Sequence, residues 1–539
     1  MEKPFKPYVD PNDTSMRELT FRAVFLGVIM AMVLGGANTY LGLKAGMTVA
    51  ATFPAAVISM AVLRAFKGNI LEENIARTTG AVGEALAAGA IFTIPAFVMA
   101  GVWTGFDYLT STVLMLVGGI LGVLFTTLLR RTFTEDTTLP FPESMACTEI
   151  VKAGQKGASG AGTVFGAMGI GALFQLLMNP LGIPLIGEKL RGIFTVGRAA
   201  FPYQTPASSP AFLGVGFIIG PRLGAITFSG GVFGWLFLMP LVVVFASGAD
   251  PDLWPMITHY MNGAEYQGHK LTIDHFIGSF KGVDGKMHAG VLKEIYNNSI
   301  KNVAIGAMIV GAFYTLFKMR NSLVVGIGRS LKQIGGGGKG AKEEIRTERD
   351  MDAVSVMASI GFMVLGMVVV YNWLTQNFST AVVVTIVMAI AGFLFAAVAG
   401  YLVGIIGSSS NPISGLTLST LLIAAGLLYL LDMRGAAGIA AVLGVATIVC
   451  CVAGVAGDML QDWKVGHLLG GTPWRMQVGG LIGVIAAGLV LVLPIMLLHE
   501  YGGGIGSDAL PAPQAGLMAT MAEGIIGGEL EWGPVSYTH

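Results

Sequence analysis

The chain has 539 residues, of which 54% are hydrophobic and only 12% are charged. Soluble domains carry roughly 25% charged residues, so this composition excludes a soluble globular protein and indicates an integral membrane protein. The 32 basic and 32 acidic residues give a formal net charge of zero, which excludes a strongly basic nucleic-acid-binding protein. Three cysteines without zinc-ligand spacing predict neither a disulfide framework nor a metal site.

Long apolar segments follow one another along the chain, and a membrane helix needs about 20 such residues. We therefore expect an all-α, polytopic membrane protein with about thirteen spans. The predicted spans are 21–43, 47–65, 82–103, 109–130, 160–183, 206–222, 224–247, 297–318, 354–375, 380–402, 416–432, 437–457 and 477–498.

The charged connections predict the orientation and the division into domains. A polar segment, residues 1–20, precedes the first span, and a basic, glycine-rich linker covers 319–353. Because positively charged loops stay in the cytoplasm, we expect both to be cytoplasmic in a multi-pass protein of the inner (cytoplasmic) membrane. Residues 21–318 then form an N-terminal transmembrane half with an extracytoplasmic loop at 248–296, and residues 354–539 form a C-terminal half.

Three short motifs occur twice, in the same order. The pairs are Thr39–Gly46 with Gly400–Gly407, Ala81–Glu84 with Val455–Asp458, and Leu139–Glu143 with Leu510–Gln514. Their copies lie 361, 374 and 371 residues apart, and internal repeats of this kind are typical of secondary transporters. The spans 160–183, 206–222 and 224–247 follow the third motif in the first half, but only about 25 residues follow it in the second. We therefore expect two homologous halves with broken or re-entrant helices, the second half being truncated.

A polar stretch interrupts the apolar sequence at 404–415, which contains Ser408, Ser409, Ser410 and Asn411. It is either a short loop between two spans or a broken helix. Broken backbone at membrane depth is tolerated only where it is buried in protein or lines a wet cavity. The broken-helix interpretation makes these four residues candidates for substrate binding.

Ionisable residues inside apolar segments are further candidates. Lys44 either extends to the interface or attracts a substrate carboxylate. Glu84 and Asp458 occupy equivalent repeat positions and are either proton carriers or residues near helix N-termini at the interface. The charged residues that follow Asp458 are typical of a solvated connection: Asp462, Lys464, His467 and Arg475.

Two more segments carry isolated candidates. In Leu139–Lys152 two prolines suit the start of a helix, which either points toward a substrate or lies at the interface, and Glu149 is its candidate for substrate binding. Gly214–Arg222 has closely spaced glycines without a nucleotide-binding fingerprint. Arg222 is a candidate partner for a substrate carboxylate.

Together these segments resemble the oligopeptide transporter (OPT) family, prokaryotic branch. The segments that carry the resemblance are Asn38–Gly46, Asn74–Glu84, Leu139–Gly154, Gly214–Arg222 with Gly230–Trp235, and Ser408–Gly415. The resemblance implies about sixteen helices in two related halves, and cation-coupled, usually proton-driven, uptake of peptides, glutathione-like compounds or metal chelates. Asn411-Pro412-Ile413 only approximates the Asn-Pro-Gly signature of eukaryotic peptide-transporting members, so the resemblance does not specify the substrate.

The function expected from these features is secondary active transport, with symport of protons and small peptides or peptide-like compounds across the cytoplasmic membrane. Glu84 and Asp458 would carry the protons, and the ion gradient would replace any cofactor. The expected partners are the lipid bilayer and a small peptide, glutathione-like or metal-chelate substrate, without nucleic acid. Homo-oligomerisation is left open.

The alternative is uptake of metal–chelate (siderophore-like) complexes. Four histidines of the predicted outer loop favour it slightly: His259, His269, His275 and His288. A channel or a membrane-embedded enzyme is less favoured. A channel would show downhill flux without coupling, and an enzyme would need a nucleophile or metal cluster that is not recognisable in the sequence.

Overall fold

The computed structural model describes residues 7–155, 161–178, 185–187, 190–196, 199–205, 210–249 and 345–527 except residues 410 and 508, with short pieces between 265 and 317. The chain forms two compact units. One consists of Met1–Val164 and Ala312–Leu530, and the other of Phe165–Gly311 and Glu531–His539. The first unit thus contains parts of both predicted halves, whose proposed boundary at 319–353 lies mostly outside the described residues.

Helices make up most of the described chain. In order they are α1 (Phe21–Ala45), α2 (Thr52–Ala65), α3 (Ile70–Met99), α4 (Tyr108–Thr134), α5 (Pro142–Gln155), α6 (Ala161–Met178), α7 (Pro210–Val232), α8 (Met239–Ala249), α9 (Ala353–Thr375), α10 (Phe378–Ile406), α11 (Ile413–Leu430), α12 (Gly435–Leu469), α13 (Pro473–Val490), α14 (Val492–Tyr501) and α15 (Pro513–Ala522). A wider turn of π-helix, Phe233–Leu238, joins α7 to α8, and another, Glu523–Gly527, follows α15. A short 3₁₀ turn, Arg346–Glu348, precedes α9.

Three short antiparallel hairpins belong to the second unit. They are β1 (Arg191–Val196) with β2 (Ala199–Gln204), β3 (Glu265–Tyr266) with β4 (His269–Lys270), and β5 (Ser279–Lys281) with β6 (Met287–Ala289). In the first hairpin Phe194 pairs with Phe201.

Polar side chains fix the starts of several helices. Asn69 and Glu72 form a capping box at the start of α3, so two backbone donors of its first turn are satisfied. Asp107 caps α4 and Asn377 caps α10 by accepting backbone hydrogen bonds. These caps explain why long apolar helices begin at defined residues.

Nine helical segments of the described chain are long and apolar enough to cross a membrane. They confirm the all-α, multi-pass fold, whereas the number of thirteen spans is not tested because some predicted spans, such as 297–318, lie largely outside the described residues. Two bounds differ from the prediction. α2 has 14 residues, about 21 Å at 1.5 Å per residue, and is shorter than the roughly 30 Å hydrocarbon core. α3 begins at Ile70, well before the predicted residue 82.

α3 and α12 form the centre of the first unit and are buried along nearly their whole length. Their backbones approach closely at Gly89, where a Cβ atom would overlap the Cys451 sulfur. Small residues permit such contact between membrane helices. The predicted proton carriers Glu84 and Asp458 lie on these two central helices.

Hydrogen bonds and ion pairs gather at one end of the first unit, here called the ion-pair end. Buried Glu18 accepts hydrogen bonds from Arg346 Nη1 at 2.7 Å and from the Thr472 backbone at 2.8 Å. Asp350, just before α9, accepts from Arg130 Nε at 2.5 Å. α1, α3 and α9 begin at this end, and α12 ends there.

Two helix pairs are oriented oppositely relative to the ion-pair end. At the start of α1, Arg22 Nη1 donates to the Phe66 carbonyl oxygen, just after α2, at 2.7 Å. α1 therefore begins and α2 ends at the ion-pair end, and the segment that connects them lies away from it. α9 leads away from that end, and α10 starts three residues after α9 finishes. α10 therefore begins and α11 ends at the opposite end. Inverted pairs of this kind are characteristic of transporter repeats.

Candidate functional site

The α1–α2 and α10–α11 pairs are each interrupted by a short irregular segment, residues 46–51 and 407–412. Each interruption starts at a glycine in the left-handed region, Gly46 with φ 73° and Gly407 with φ 85°. Glycine adopts this conformation without the steric cost of a Cβ atom. The polar stretch at 407–412 therefore interrupts two apolar helices and has a counterpart in the first repeat copy, whereas the choice between a loop and a broken helix stays a prediction. Each of the two irregular segments is here called a break.

Each break is contacted by the Leu-Pro-x-Pro motif of the other repeat copy. This motif, residues 139–142 and 510–513, is here called the proline motif. The Phe141 backbone N–H donates to the Gly404 carbonyl at 2.8 Å, and the Ala512 backbone N–H donates to the Leu43 carbonyl at 2.8 Å. Phe141 and Ala512 share an unusual positive φ, 40° and 42°. These two hydrogen bonds, here called the crossed contacts, occupy equivalent repeat positions, so each copy supplies a partner for the freed backbone of the other.

A cavity of about 140 Å³ lies where the two breaks meet α3 and α12. Most of its lining is polar or small, and two carboxyl groups face it. The lining residues are Gly46, Met47, Thr48, Ala50, Glu84, Phe92, Ser408, Ser409, Asn411, Ile413, Ser414 and Asp458.

The two carboxyl groups of the cavity contact one another. The Glu84 side chain lies close to Asp458, to Thr48 and to the Ala51 backbone. Ser408 donates its hydroxyl hydrogen to Asp458 Oδ1. Glu84 and Asp458 are 5% and 4% exposed, so this pair has little contact with solvent and links both breaks directly.

A strip of polar side chains on α12 continues from this pair. Gln461 accepts a hydrogen bond from the Ser408 backbone at 2.8 Å and donates to Thr52 Oγ1 at 3.3 Å. Asp462 forms a fully buried ion pair with Arg77 of α3 and accepts from Thr52 at 3.0 Å. The strip therefore joins the start of α2 to the α10–α11 break.

The prediction that the residues after Asp458 form a solvated connection was wrong. Asp462 is 0% exposed and lies inside α12, which continues to Leu469. The charge is tolerated there because Arg77 neutralises it. Sequence alone gave no indication of this pairing, because the two partners are 385 residues apart.

Glu143, in the first turn of α5, is a contact that the predicted site residues did not include. Its carboxylate accepts hydrogen bonds from the Ser408 backbone at 3.1 Å and the Ser409 backbone at 3.3 Å, and from the Ser409 hydroxyl. The feature that could have identified it is its place directly after the Leu-Pro-x-Pro motif, where an acidic residue suits a helix start.

The structure brings five of the predicted site residues to the cavity: Glu84, Asp458, Ser408, Ser409 and Asn411. Glu84 and Asp458 lie inside α3 and α12 rather than at helix N-termini. Both Asn411 side-chain polar atoms are buried, and neither has a hydrogen-bond partner among the described residues. The roles assigned to these residues stay predictions.

The remaining candidates are placed elsewhere. Lys44, in the last turn of α1, lies 5.9 Å from the Tyr40 ring centroid and does not line the cavity. Glu149 is exposed on α5 and pairs with Lys152 at 2.9 Å. Arg222 is exposed on α7 in the second unit. Ser410 lies outside the described residues.

Metal coordination finds no support in the part of the chain that the structure describes, because no cluster of three or more His, Cys, Asp or Glu residues there is arranged to hold an ion. Of the predicted outer-loop histidines, His269 and His288 belong to β4 and β6. His259 and His275 lie outside the described residues.

Comparisons with known proteins agree with this architecture. A family model described as OPT oligopeptide transporter protein matches residues 18–536. A Haemophilus influenzae protein, provisionally named an oligopeptide transporter, is 30% identical over 525 residues, which cover 92% of this chain and 76% of that protein.

Proposed function

The chain belongs to the OPT oligopeptide transporter family, and on this basis we propose that it is a secondary active transporter coupling proton entry to uptake of small peptides or peptide-like compounds. The observation that carries the proposal is the convergence of Glu84, Asp458 and both helix breaks on one cavity. Broken helices around a polar cavity are the usual setting of a transport site.

The carboxyl pair supports the choice of protons as the coupling ion. Two contacting, buried carboxylates repel one another, and a proton shared between them removes this repulsion. Glu84 and Asp458 contact each other as well as both breaks. Loading and release of a proton here would therefore change the hydrogen bonds that hold the breaks together.

The cavity also supports a cycle in which the helix breaks move. Its volume of about 140 Å³ corresponds to fewer than about five water molecules at roughly 30 Å³ each, whereas sites for larger ligands span about 300–1,000 Å³. A peptide requires the breaks to separate. Ser408, Ser409 and Asn411 would then offer hydroxyl and amide groups to its polar backbone.

We further propose that the ion-pair end faces the cytoplasm of a cell with this protein in its inner membrane. Residues 7–20 and 345–350 both lie at this end. They adjoin the two segments whose basic residues favour the cytoplasmic side.

Uptake of labelled di- and tripeptides into proteoliposomes, with an internal pH indicator, tests proton coupling. Wild-type protein is expected to accumulate peptide only with an inward proton gradient and to acidify the lumen. Glu84→Gln, which resembles a permanently protonated carboxyl, is expected to lose at least tenfold of gradient-driven uptake while retaining exchange of internal for external peptide. Glu500→Gln, at an exposed acid in α14, is the matched control. Peptide uptake that does not depend on the proton gradient, or a Glu84→Gln variant that keeps full coupling, would refute the proposal.

The substrate class is tested separately by ligand-dependent thermal stability of the purified protein. A ligand at 100 times its Kd stabilises the folded state by about 2.7 kcal/mol. Peptides, glutathione and ferric chelates are compared at equal concentration. Stabilisation by chelates alone would contradict peptide uptake and support the alternative, uptake of metal–chelate complexes.

A further inference from the structure

The two crossed contacts differ in one acidic side chain. At the α10–α11 break, Glu143 accepts hydrogen bonds from the backbones of Ser408 and Ser409 at 3.1 and 3.3 Å, and from the Ser409 hydroxyl. The residue at the equivalent repeat position is Gln514, whose side-chain oxygen is buried and has no hydrogen-bond partner in the part of the chain that the structure describes. The pseudo-symmetric arrangement therefore carries a full negative charge at one break and a neutral amide at the other.

This difference gives the freed backbone of the two breaks different partners. At the first break the Val49 N–H donates to the neutral amide of Asn38, in the same repeat copy, at 2.7 Å, whereas at the second break the partner from the opposite copy is a carboxylate. Hydrogen bonds to a carboxylate are roughly twice as strong as those between neutral groups. The backbone N–H groups of Ser408 and Ser409 are donors freed by the helix break, and such donors need partners within a membrane. Glu143 supplies a partner for the Ser409 N–H from α5 and shares the Ser408 N–H with Gln461, whose side-chain oxygen is nearer at 2.8 Å. It also lies directly against Gly407, where a Cβ atom would overlap its carboxyl group.

The first break is packed differently. Pro513, the residue equivalent to Pro142, lies against Gly46, where a Cβ atom would overlap its ring. This contact is apolar. The backbone bond from Ala512 to Leu43 is present, and within the described residues the neighbouring Gln514 oxygen accepts no hydrogen bond.

We propose that Glu143 is a positioning residue that latches the α10–α11 break closed over the cavity, so that the α1–α2 break moves first when the cavity opens. The role rests on the proposed transport function. Its structural basis, a carboxylate from the opposite repeat copy at the second break and an amide at the equivalent position of the first, does not depend on peptide transport.

Hydrogen–deuterium exchange of the full-length purified protein tests the latch without any transport assay. In wild type, exchange of the peptide covering 403–416 is expected to be slower than that of the equivalent peptide covering 42–55. Glu143→Gln keeps the side-chain shape but removes its charge, and is expected to speed exchange of the Ser409 amide about tenfold, equivalent to about 1.4 kcal/mol. The Ser408 amide is expected to change less, because it also donates to Gln461 at 2.8 Å. Exchange at 42–55 is expected to stay within twofold of wild type.

Two further variants keep the test decisive if Glu143→Gln is poorly folded. Ser409→Ala removes one donor to Glu143 and is expected to give a smaller increase at 403–416. Gln514→Glu places a carboxylate at the other crossed contact and is expected to slow exchange at 42–55. Equal exchange of the two wild-type peptides, or a Glu143→Gln effect spread evenly over the protein, would overturn the latch.

Transport kinetics separate positioning from substrate binding. A latch controls how often the break opens, so Glu143→Gln is expected to change the maximal uptake rate at least fivefold with KM within about twofold. A change confined to KM would make Glu143 a substrate ligand and overturn the latch. If wild type shows no uptake of any tested substrate, the transport proposal fails, whereas the exchange result stands independently.

Discussion

Replacing Arg77 by methionine tests how the two central helices are held together. Arg77 and Asp462 form an ion pair with both side chains 0% exposed, and Arg77 Nη2 also donates to Asn74 at 2.8 Å and to the Asp462 carbonyl at 2.9 Å. The Arg77→Met variant leaves the Asp462 charge buried with one neutral donor, Thr52, at 3.0 Å. Removing one partner of a buried ion pair costs about 3–5 kcal/mol. At about 2 °C per kcal/mol for a large domain, we expect the melting temperature to fall by about 6–10 °C.

The measurement is thermal unfolding in detergent at a fixed scan rate, followed by tryptophan fluorescence. Lys152→Met is the control, because it breaks the exposed pair with Glu149, which contributes less than about 1 kcal/mol. The double variant Arg77→Met/Asp462→Leu removes both charges and is expected to recover at least half of the loss. A single variant within 2 °C of wild type, or a double variant no more stable than the single one, would refute the assigned role of the ion pair.

Two glycine substitutions test close packing in the same assay. Gly89→Ala is expected to lower the melting temperature by about 2–6 °C, because its Cβ would overlap Cys451 and overpacking costs about 1–3 kcal/mol; Gly426→Ala, whose Cβ meets open space, should cause no decrease. Gly46→Ala is expected to cause a similar loss through left-handed strain of about 1–2 kcal/mol and overlap with Pro513. An unchanged melting temperature for Gly46→Ala would contradict the tight seating of α15 against the first break.

Local sequence was sufficient to predict the membrane fold and the position of the second break. Long apolar runs identify helices whatever their neighbours, and Ser408, Ser409 and Asn411 between two such runs cannot be placed in lipid without polar partners. The equivalence of Glu84 and Asp458 followed from repeat spacing. Their contact with one another required the structure, because it depends on how α3 and α12 pack.

Charge pairing explains what the sequence could not show. Glu72, Glu73 and Arg77 lie before the predicted span 82–103, yet all three are buried in α3. Arg22 pairs with Glu72, Arg64 with Glu73, and Asp462 with Arg77. A buried helix can carry these charges because residues of other segments neutralise them. The local sequence pattern does not identify these partners. Glu143 was not predicted as a site residue for the same reason, because the residues that it contacts lie 265 and 266 positions away in the sequence.

The crossed contacts explain why the break and the proline motif of one repeat copy each need the other copy as a hydrogen-bond partner. A helix break leaves carbonyl and amide groups that lipid cannot satisfy. Here the Leu43 and Gly404 carbonyls receive their hydrogen bonds from Ala512 and Phe141, each in the opposite copy. A single copy would retain both a break without a donor and a proline motif without an acceptor. The two breaks and the two proline motifs therefore form one interdependent arrangement, and a displacement of either motif exposes backbone in the copy to which it does not belong.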